Sequence, residues 1–268
     1  MLLACRNATK AAAALEAVKA KAAGPTPEVI ALDLSSLASV RECAAGLAER
    51  EHHLDVLMNN AGIMAVPKGT TVDGFESQLG TNHLGHFALT GLLLPTLLAA
   101  AEPRVVTVSS NGHRMGRIDF DDLFWDRKRY SRWRAYGQTK LANLLFTSEL
   151  QRLAVEHGTA LTAAAAHPGY AATNLTSGPA IGAALLKPVL ALGDKLVGQP
   201  DHMGALPQLY AATMPDVGPN DYWGPDAWRE QRGYPKRVGR SERAQDDASA
   251  GRLWTRSEEL TDVVYPWP

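Results

Sequence analysis

The stretch AYGQTKLANLLF, residues 135–146, places a phenol and an ammonium four positions apart, at Tyr136 and Lys140. Residues with this spacing lie on the same face of an α-helix, so the two groups would point in one direction. A free phenol has a pKa of about 10, and a neighbouring cation lowers that value. The pair could therefore donate a proton at neutral pH, or it could be a surface pair with no catalytic role.

Strand-like and helix-like stretches alternate along the chain, and these elements would position the pair. Ala-rich or Leu-rich helical patterns lie between five short apolar runs, which read MLLAC, EVIALDL, LDVLMNNAG, RVVTVSS and ALTAAAAHPG. This alternation predicts parallel strands joined by right-handed crossovers, that is, a doubly wound, mostly parallel α/β sheet. We expect one domain over 1–268, in which 177–268 supplies substrate-pocket helices and a C-terminal extension.

Small or polar residues occur where four of these predicted strands end. They are Asp33, the tetrapeptide NNAG at 59–62, the serines of VSS at 109–110, and the HPG tripeptide at 167–169. In sheets of this type, ligands bind outside the carboxyl ends of the strands. The pattern therefore predicts one long cleft along that edge of the sheet.

Three motifs follow one another along the chain: NNAG after one strand, VSS after the next, and Tyr136-x-x-x-Lys140 on the following helix. In this combination and order they resemble the motifs of the short-chain dehydrogenase/reductase family. The stretches NNAGIM, DGFESQLGTNHLGHFALTGLLLP, YGQTKLANLLFTSEL and HPG are most similar to its retinol-dehydrogenase-like and protochlorophyllide-reductase-like branch. The likeness extends over about residues 1–176. It implies a Rossmann-like fold and hydride transfer between a nicotinamide cofactor and a small-molecule substrate.

The resemblance implies catalytic roles for four residues. Tyr136 would be the acid/base, and Lys140 would lower its pKa and bind the nicotinamide ribose. Ser110 would orient the carbonyl, and Asn82 would anchor the water chain that resupplies the proton. For Asn82 the alternative is a helix-interior amide bonded to backbone.

The resemblance also implies a set of cofactor contacts. Asp33 matches an acidic residue beside the adenine, and NNAG matches a turn against the adenosine side, where small residues permit close approach. The alternatives are a plain tight turn for Gly62 and a helix cap for Thr173. The full predicted set is Arg6, Asp33, Leu34, Asn60, Ala61, Gly62, Tyr136, Lys140, Pro168, Gly169 and Thr173.

Arg6 bears on the choice between the two nicotinamide cofactors. It follows the first strand in ACRN, where NAD-preferring members of the family tend to carry an acidic residue near the ribose. A guanidinium at this place suits a 2′-phosphate. We therefore favour NADP(H) over NAD(H).

The sequence departs from the family at its beginning. Family members start with a strand and a Gly-rich turn whose backbone amides bind pyrophosphate, whereas this sequence opens at what resembles the second strand. The first strand would lie at the centre of the sheet, so a gap and unpaired backbone groups are expected there. Either Met1 is an internal start of a longer protein, which we favour, or the chain folds poorly. In both cases we expect little dehydrogenase activity from the 268-residue form.

Composition argues against several other classes of protein. The net charge is −1, and the basic run RKRYSRWR at 127–134 directly follows the acidic DFDDLFWD, so nucleic-acid binding is not favoured. Two cysteines without CxxC spacing, no secretory pattern and no apolar run of bilayer length favour a cytoplasmic protein without an integral membrane segment. His83 and His86 lack a third ligand at useful spacing, so no metal site is expected.

Three functions stay open. The first is an NADP(H)-dependent oxidoreductase acting on an alcohol or carbonyl compound. The resemblance to the retinol-dehydrogenase-like branch and the Leu/Val-rich segment 180–197 favour an apolar substrate. The second is a carbon–carbon double-bond reductase of the same family. The third is an N-terminally truncated, inactive or regulatory nucleotide-binding protein, which the missing glycines favour and the preserved Ser110–Tyr136–Lys140 set does not. The apolar helices at 73–101 and 136–153 would allow a homodimer or homotetramer.

Overall fold

The protein is described here by a computed structural model that covers residues 1–170 and 199–268. Helices alternate with strands, and the expected α/β organisation with a mostly parallel sheet is confirmed. The strands are β1 Leu2–Cys5, β2 Glu28–Ala31, β3 Val56–Asn59, β4 Arg104–Val108, β5 Thr162–Ala166, β6 Tyr222–Ala227 and β7 Arg232–Arg237. The helices are α1 Ala8–Lys19, α2 Leu37–Arg50, α3 Ser77–Leu79, α4 Gly85–Leu92, α5 Leu94–Leu98, α6 Arg132–Glu156, α7 Asp201–Thr213 and α8 Asp247–Thr261.

The strands form two sheets. One contains β1 and β2, paired in parallel, and the other has the order β3-β4-β5-β6-β7, in which only β7 runs antiparallel to its neighbour. The register pairs Val108 of β4 with Ala166 of β5, and the backbone N–H of Ser109 donates to the Ala166 carbonyl. The residues that follow β4 and β5 therefore meet at one edge of the larger sheet.

The gap that the sequence predicts lies between these two sheets. Within the described ranges, β1 is paired only with β2, and β3 only with β4. The side chain of Val56 in β3 is 41% exposed, although valine in the middle of a parallel sheet is normally covered on both faces. The inner edges of β1 and β3 therefore lack the strand that would join the two sheets.

The C-terminal helix α8 packs against the pair of helices that the sequence proposes as a dimer interface. Trp254 of α8 lies 5.0 Å from the Phe87 ring of α4 and is stacked 5.8 Å from the Phe146 ring of α6, measured between ring centroids. The Tyr265 hydroxyl, just beyond α8, donates to the Phe87 carbonyl. A dimer through α4 and α6 stays a prediction, and it would have to use the surface that α8 leaves uncovered.

Sequence patterns give incorrect bounds for two regions. The helix expected over 73–101 begins at Ser77 and contains a π-helical turn, Gly80–Leu84, before α4. In the region expected to supply pocket helices, β6 and β7 form a hairpin whose strand signal is hidden by glycine and proline. Gly224 is needed because a Cβ there would collide with His167, and Pro235 is tolerated because β7 is an edge strand.

None of the described helices combines the length and hydropathy required to cross a bilayer.

Candidate active site

Tyr136 and Lys140 lie one turn apart in the first half of α6, and both side chains are buried. Tyr136 is 8% exposed and Lys140 is 4% exposed, so they are not a surface pair. The Lys140 ammonium donates to the Val108 carbonyl at the end of β4, over 3.0 Å, and lies 5.7 Å from the centroid of the Tyr136 ring. The helix therefore brings both groups to the edge of the sheet where β4 ends.

Ser110 follows β4 and begins a short 3₁₀ turn, Asn111–Met115. Its Oγ accepts a hydrogen bond from the Gly112 N–H over 3.1 Å. A Cβ placed on Gly112 would lie 3.2 Å from the Tyr136 ring and 3.4 Å from Ser110 Oγ, so the serine and the tyrosine approach the same glycine. Because Gly112 has no side chain, the hydroxyl and the phenol can lie on one side of the cleft.

Asn82 lies in the π-helical turn and connects two parts of the site. Its fully buried amide accepts from the Ile63 N–H and donates to the Ile63 carbonyl, which fixes the loop after β3. The same amide donates to Thr139 Oγ1 on α6 over 3.0 Å. These contacts match the expected alternative of an amide bonded to backbone, and they lock the NNAG loop to the helix that carries Tyr136.

The NNAG loop approaches this group through its glycine. A Cβ on Gly62 would lie 3.1 Å from Asn82 Oδ1 and 3.6 Å from Lys140 Nζ. The preceding Asn60 N–H turns back to the Met58 carbonyl, over 2.9 Å, and leaves the loop compact. Any larger residue at position 62 would fill the space beside the ammonium.

Burial dominates the ionisation of both groups on α6. It lowers the pKa of Lys140 to about 8, so the side chain is mainly cationic at neutral pH. It raises the pKa of Tyr136, an effect that the Ser110 hydroxyl partly offsets. The expected lowering of the pKa of Tyr136 by Lys140 does not occur in this arrangement, because the ammonium is directed to the Val108 carbonyl rather than to the phenol.

Three predicted cofactor residues lie on the two-stranded sheet. Arg6 follows β1 and Asp33 follows β2, and their side chains meet with Nη1 3.7 Å from Oδ1. Asp33 Oδ1 also accepts hydrogen bonds from the backbone and hydroxyl of Ser35. Leu34 is buried, and its carbonyl packs so closely on Gly85 of α4 that a Cβ there would collide with it. Leu34 thus holds the two-stranded sheet to the rest of the molecule.

The residues after β5 form a tight turn at the same edge as Ser110. Gly169 has φ +66° and donates its N–H to His167 Nδ1, and the Pro168 carbonyl accepts from Gln199. Thr173 and the predicted helical segment 180–197 lie outside the described residues.

Two histidines and a glutamate next to Ser110 are not found by sequence reasoning. His113 Nδ1 lies 2.7 Å from the Ser110 carbonyl, and burial lowers the pKa of His113 to about 4, so it is neutral. His167 Nε2 lies 3.3 Å from Glu230 Oε2. His167 belongs to the HPG tripeptide, but its partner is 63 positions away in a stretch without any motif, so only the fold brings them together.

The chain is similar in sequence and in fold to known proteins. A family model described as short chain dehydrogenase matches residues 1–122. Retinol dehydrogenase 13 of Homo sapiens is 39% identical over 271 residues, which cover 99% of this chain and 78% of that protein. A crystal structure of an uncharacterized protein from Mycobacterium paratuberculosis is 46% identical, covers 99% of this chain and 85% of that chain, and superposes with a TM-score of 0.78. The RhlG–NADP complex of Pseudomonas aeruginosa, 24% identical with 82% of each chain covered and a TM-score of 0.59, shares the fold.

Proposed function

The chain belongs to the short-chain dehydrogenase family, in its retinol-dehydrogenase-like branch, and on that basis we propose that it transfers a hydride between NADP(H) and an apolar alcohol or carbonyl compound. Membership in the family makes it an NAD(P)-dependent oxidoreductase. The observation that carries the finer proposal is the convergence of Ser110, Tyr136 and Lys140, together with Asn82, from separate elements at one edge of the sheet.

In the proposed reaction, Tyr136 protonates the carbonyl oxygen of the substrate. The nicotinamide cofactor, when bound, supplies the hydride to the carbonyl carbon. Ser110 Oγ accepts from Gly112, and its own O–H, which interacts with the Tyr136 phenol in the free protein, can turn to donate to the same substrate oxygen. The buried phenol stays protonated until the alkoxide forms, since burial raises its pKa, and two donors then stabilise the developing negative charge.

Lys140 serves the reaction as a buried cation. Among the described residues, only the Val108 carbonyl accepts one of its three N–H donors, and the ammonium borders the space that Gly62 leaves open. That space fits the hydroxyls of a nicotinamide ribose. Asn82, beside Gly62, is the proposed anchor of the water that returns the proton.

The preference for NADP(H) and for an apolar substrate rests on separate arguments. Arg6 lies next to Asp33 on the exposed end of the two-stranded sheet, where its guanidinium can bind a 2′-phosphate in place of the carboxylate. The substrate class is supported by the name of the relative, retinol dehydrogenase 13, since retinol is an apolar alcohol.

A second candidate is a nucleotide-binding protein without turnover. The observation that favours it is the gap between β1 and β3, because an incomplete sheet positions the nucleotide less firmly. It also supports the expectation of little dehydrogenase activity from the 268-residue form.

The test is an assay of purified protein with NADPH at concentrations up to saturation and dodecanal as substrate. Because the gap beside β1 weakens cofactor binding, we expect slow oxidation of NADPH, coupled to dodecanol formation and measurable near saturation. Saturable NADPH binding without turnover of any alcohol or carbonyl tried would support the second candidate. Conversion of an enal to the saturated aldehyde, with no enol or alcohol product, would support the double-bond reductase instead.

A further inference from the structure

The turn between β6 and β7, residues Trp228–Gln231, crosses the edge of the sheet at which β4 and β5 end. The Gln231 carbonyl accepts from the Tyr170 N–H, just beyond β5, over 2.8 Å. The Glu230 carbonyl accepts a long hydrogen bond, 3.4 Å, from the side chain of Asn111, the residue after Ser110. The turn therefore lies beside the residue that follows Ser110, at the edge of the sheet where the cleft is predicted.

We propose that this turn is one wall of the substrate-binding site, with Trp228 contacting the apolar part of an extended alcohol or carbonyl compound and Glu230 acting as a positioning residue for Ser110. The role of Glu230 rests on the proposed function, since it concerns the residue that orients the carbonyl. The role of Trp228 concerns binding alone, and it can be tested without turnover.

The backbone of the turn is strained where it carries these two side chains. Trp228, Arg229 and Glu230 have φ values of 51°, 56° and 65°, three consecutive residues with side chains in the left-handed region. Residues with a Cβ visit this region singly and at a steric cost. Such strain persists only where surrounding contacts hold it, and it concentrates at functional sites.

Glu230 approaches polar and charged groups on two sides of the turn. His167 Nδ1 accepts the Gly169 N–H, and His167 Nε2 lies 3.3 Å from Glu230 Oε2, outside hydrogen-bond geometry. The other carboxylate oxygen lies 3.9 Å from the Arg114 guanidinium. Contact with His167 lowers the pKa of Glu230, which is therefore an anion at neutral pH.

These contacts reach Ser110 through the 3₁₀ turn that follows it. Arg114 and Asn111 both belong to that turn, and both touch Glu230. In the same turn, His113 Nε2 accepts the Ser241 N–H, so Nδ1 must donate to the Ser110 carbonyl. The backbone of Ser110 is thus fixed by a buried polar cluster in which Glu230 is the anion.

The cluster is not arranged for maximum stability. Among the described residues, four buried polar atoms of this cluster have no hydrogen-bond partner: the Tyr222 hydroxyl, the Asn111 side-chain oxygen, His167 Nε2 and Glu230 Oε2. The rings of Tyr222 and His167 are 5.2 Å apart. Buried polar groups left unpaired destabilise a fold. Their presence beside Ser110 points to a positioning role rather than to a purely structural one.

Trp228 has the exposure and rigidity that a binding wall requires. It is 62% exposed, and the Arg232 guanidinium lies 5.4 Å from the centroid of its ring. A tryptophan offers a large apolar face with only two side-chain torsions to restrict. An alkyl or polyene chain whose carbonyl lies at Ser110 would cover this face, whereas a short carbonyl compound would not reach it.

The first test measures equilibrium binding of dodecanal and of propanal to the wild type and to Trp228→Ala and Trp228→Phe. We expect dodecanal to bind roughly tenfold more weakly to Trp228→Ala, Trp228→Phe to recover most of the affinity, and propanal and NADPH affinities to stay unchanged. Because the side chain is exposed, the melting temperature should not move. Equal dodecanal affinity in Trp228→Ala and the wild type, or no dodecanal binding by the wild type, overturns the wall. Binding without turnover leaves the wall standing and overturns the proposed function instead.

The second test compares Glu230→Gln with Glu149→Gln, which removes a more deeply buried carboxylate, paired with Arg152 farther along α6. Both variants should melt at lower temperature. Only Glu230→Gln should lower kcat, by roughly 10- to 100-fold with little change in the KM for dodecanal, because Ser110 acts on the oxygen in the transition state. An unchanged kcat in Glu230→Gln, the same loss in both variants, or an inactive wild type overturns the positioning role.

Discussion

The centre of the larger sheet and the two-stranded sheet differ in how completely they are covered. In β4 and in β5, every residue except the first is buried, whereas none of the residues of β1 or β2 is buried. Ser110 follows β4, and Tyr136 and Lys140 lie on α6, which packs on β4 and β5. Arg6 and Asp33 follow the strands of the uncovered sheet. The groups proposed for proton transfer are therefore built into the rigid part of the molecule, while the groups proposed to distinguish cofactors are on a part with few fixed neighbours.

The attachment of the two-stranded sheet explains this contrast. Helix α1 buries only Ala11, so it adds little to the core. Helix α2 buries Leu37, Val40, Ala44 and Leu47 and joins the same hydrophobic cluster as α4. The smaller sheet is therefore held from one side, through α2 and through Leu34, and opening of its edge costs less than opening of the larger sheet.

The largest expected effect is the loss of turnover in Tyr136→Phe. Removing the phenolic proton donor should lower kcat by about 10² to 10⁴, the range attributed to a positioned acid. NADPH affinity should stay near that of the wild type, because the two-stranded sheet is untouched. Steady-state assays with dodecanal, paired with NADPH titration, measure both quantities. Turnover retained by the variant would contradict the assignment of the donor.

Two leucine substitutions compare the sheets directly. Leu144→Ala empties a fully buried position in α6 and should lower the free energy of unfolding by about 2–5 kcal/mol. Leu3→Ala, at a partly exposed position in β1, should lower it by about 1 kcal/mol or less. Urea unfolding followed by circular dichroism measures both. Equal losses would mean that the smaller sheet is packed as tightly as the larger one.

Substitution of Lys140 on α6 should change stability and turnover in opposite directions. Folding lowers its pKa from 10.5 to about 8, so the unfolded chain binds more protons between these values and stability rises with pH across that window. Below about pH 8 the full cost of burying the cation is present, about 3 kcal/mol at most. Lys140→Met should therefore unfold at higher temperature at pH 7 and lose this pH dependence, while turnover falls.

Lys140→Met should not leave the Val108 carbonyl without a hydrogen-bond donor. Asn143 also donates to the Val108 carbonyl over 3.0 Å, so that oxygen keeps a partner when the ammonium is removed. Melting curves between pH 6 and pH 10 show the effect directly. If Lys140→Met is less stable than the wild type at pH 7, the buried ammonium stabilises the fold rather than destabilising it.

Features fixed by local spacing could be predicted from the sequence, whereas features that depend on the assembled fold could not. Tyr136, Lys140 and the NNAG loop were predictable because their spacing along one helix or turn fixes their geometry. The gap beside β1 was implied by the resemblance to a family whose members begin with one more strand. The pairing of His167 with Glu230 was not, since it depends on how a Gly- and Pro-containing hairpin folds back on β5. The raised pKa of Tyr136 was also missed, because burial outweighs the neighbouring charge and burial is a property of the assembled fold.

The smallest expected effect concerns Arg6 and the choice of cofactor. Its side chain is 64% exposed and lies 3.7 Å from Asp33, so the ion pair is screened by solvent and Arg6→Ala should change the free energy of unfolding by no more than about 0.5 kcal/mol. NADPH carries the 2′-phosphate and NADH does not, so loss of a guanidinium that binds this phosphate should weaken only NADPH binding. We expect the affinity for NADPH to fall roughly tenfold and the affinity for NADH to stay unchanged.

Arg50→Ala is the matched control for this last prediction. Arg50 is also partly exposed and forms an ion pair with Glu28 at 2.7 Å on the same two-stranded sheet, so it reports any general loosening of that sheet. The control should leave both cofactor affinities unchanged. If Arg6→Ala weakens NADPH and NADH equally, or if Arg50→Ala does the same, the loss comes from the packing of the smaller sheet and not from recognition of the phosphate. An uncovered sheet can still select a cofactor by one charged contact, provided that this contact does not also hold the sheet together.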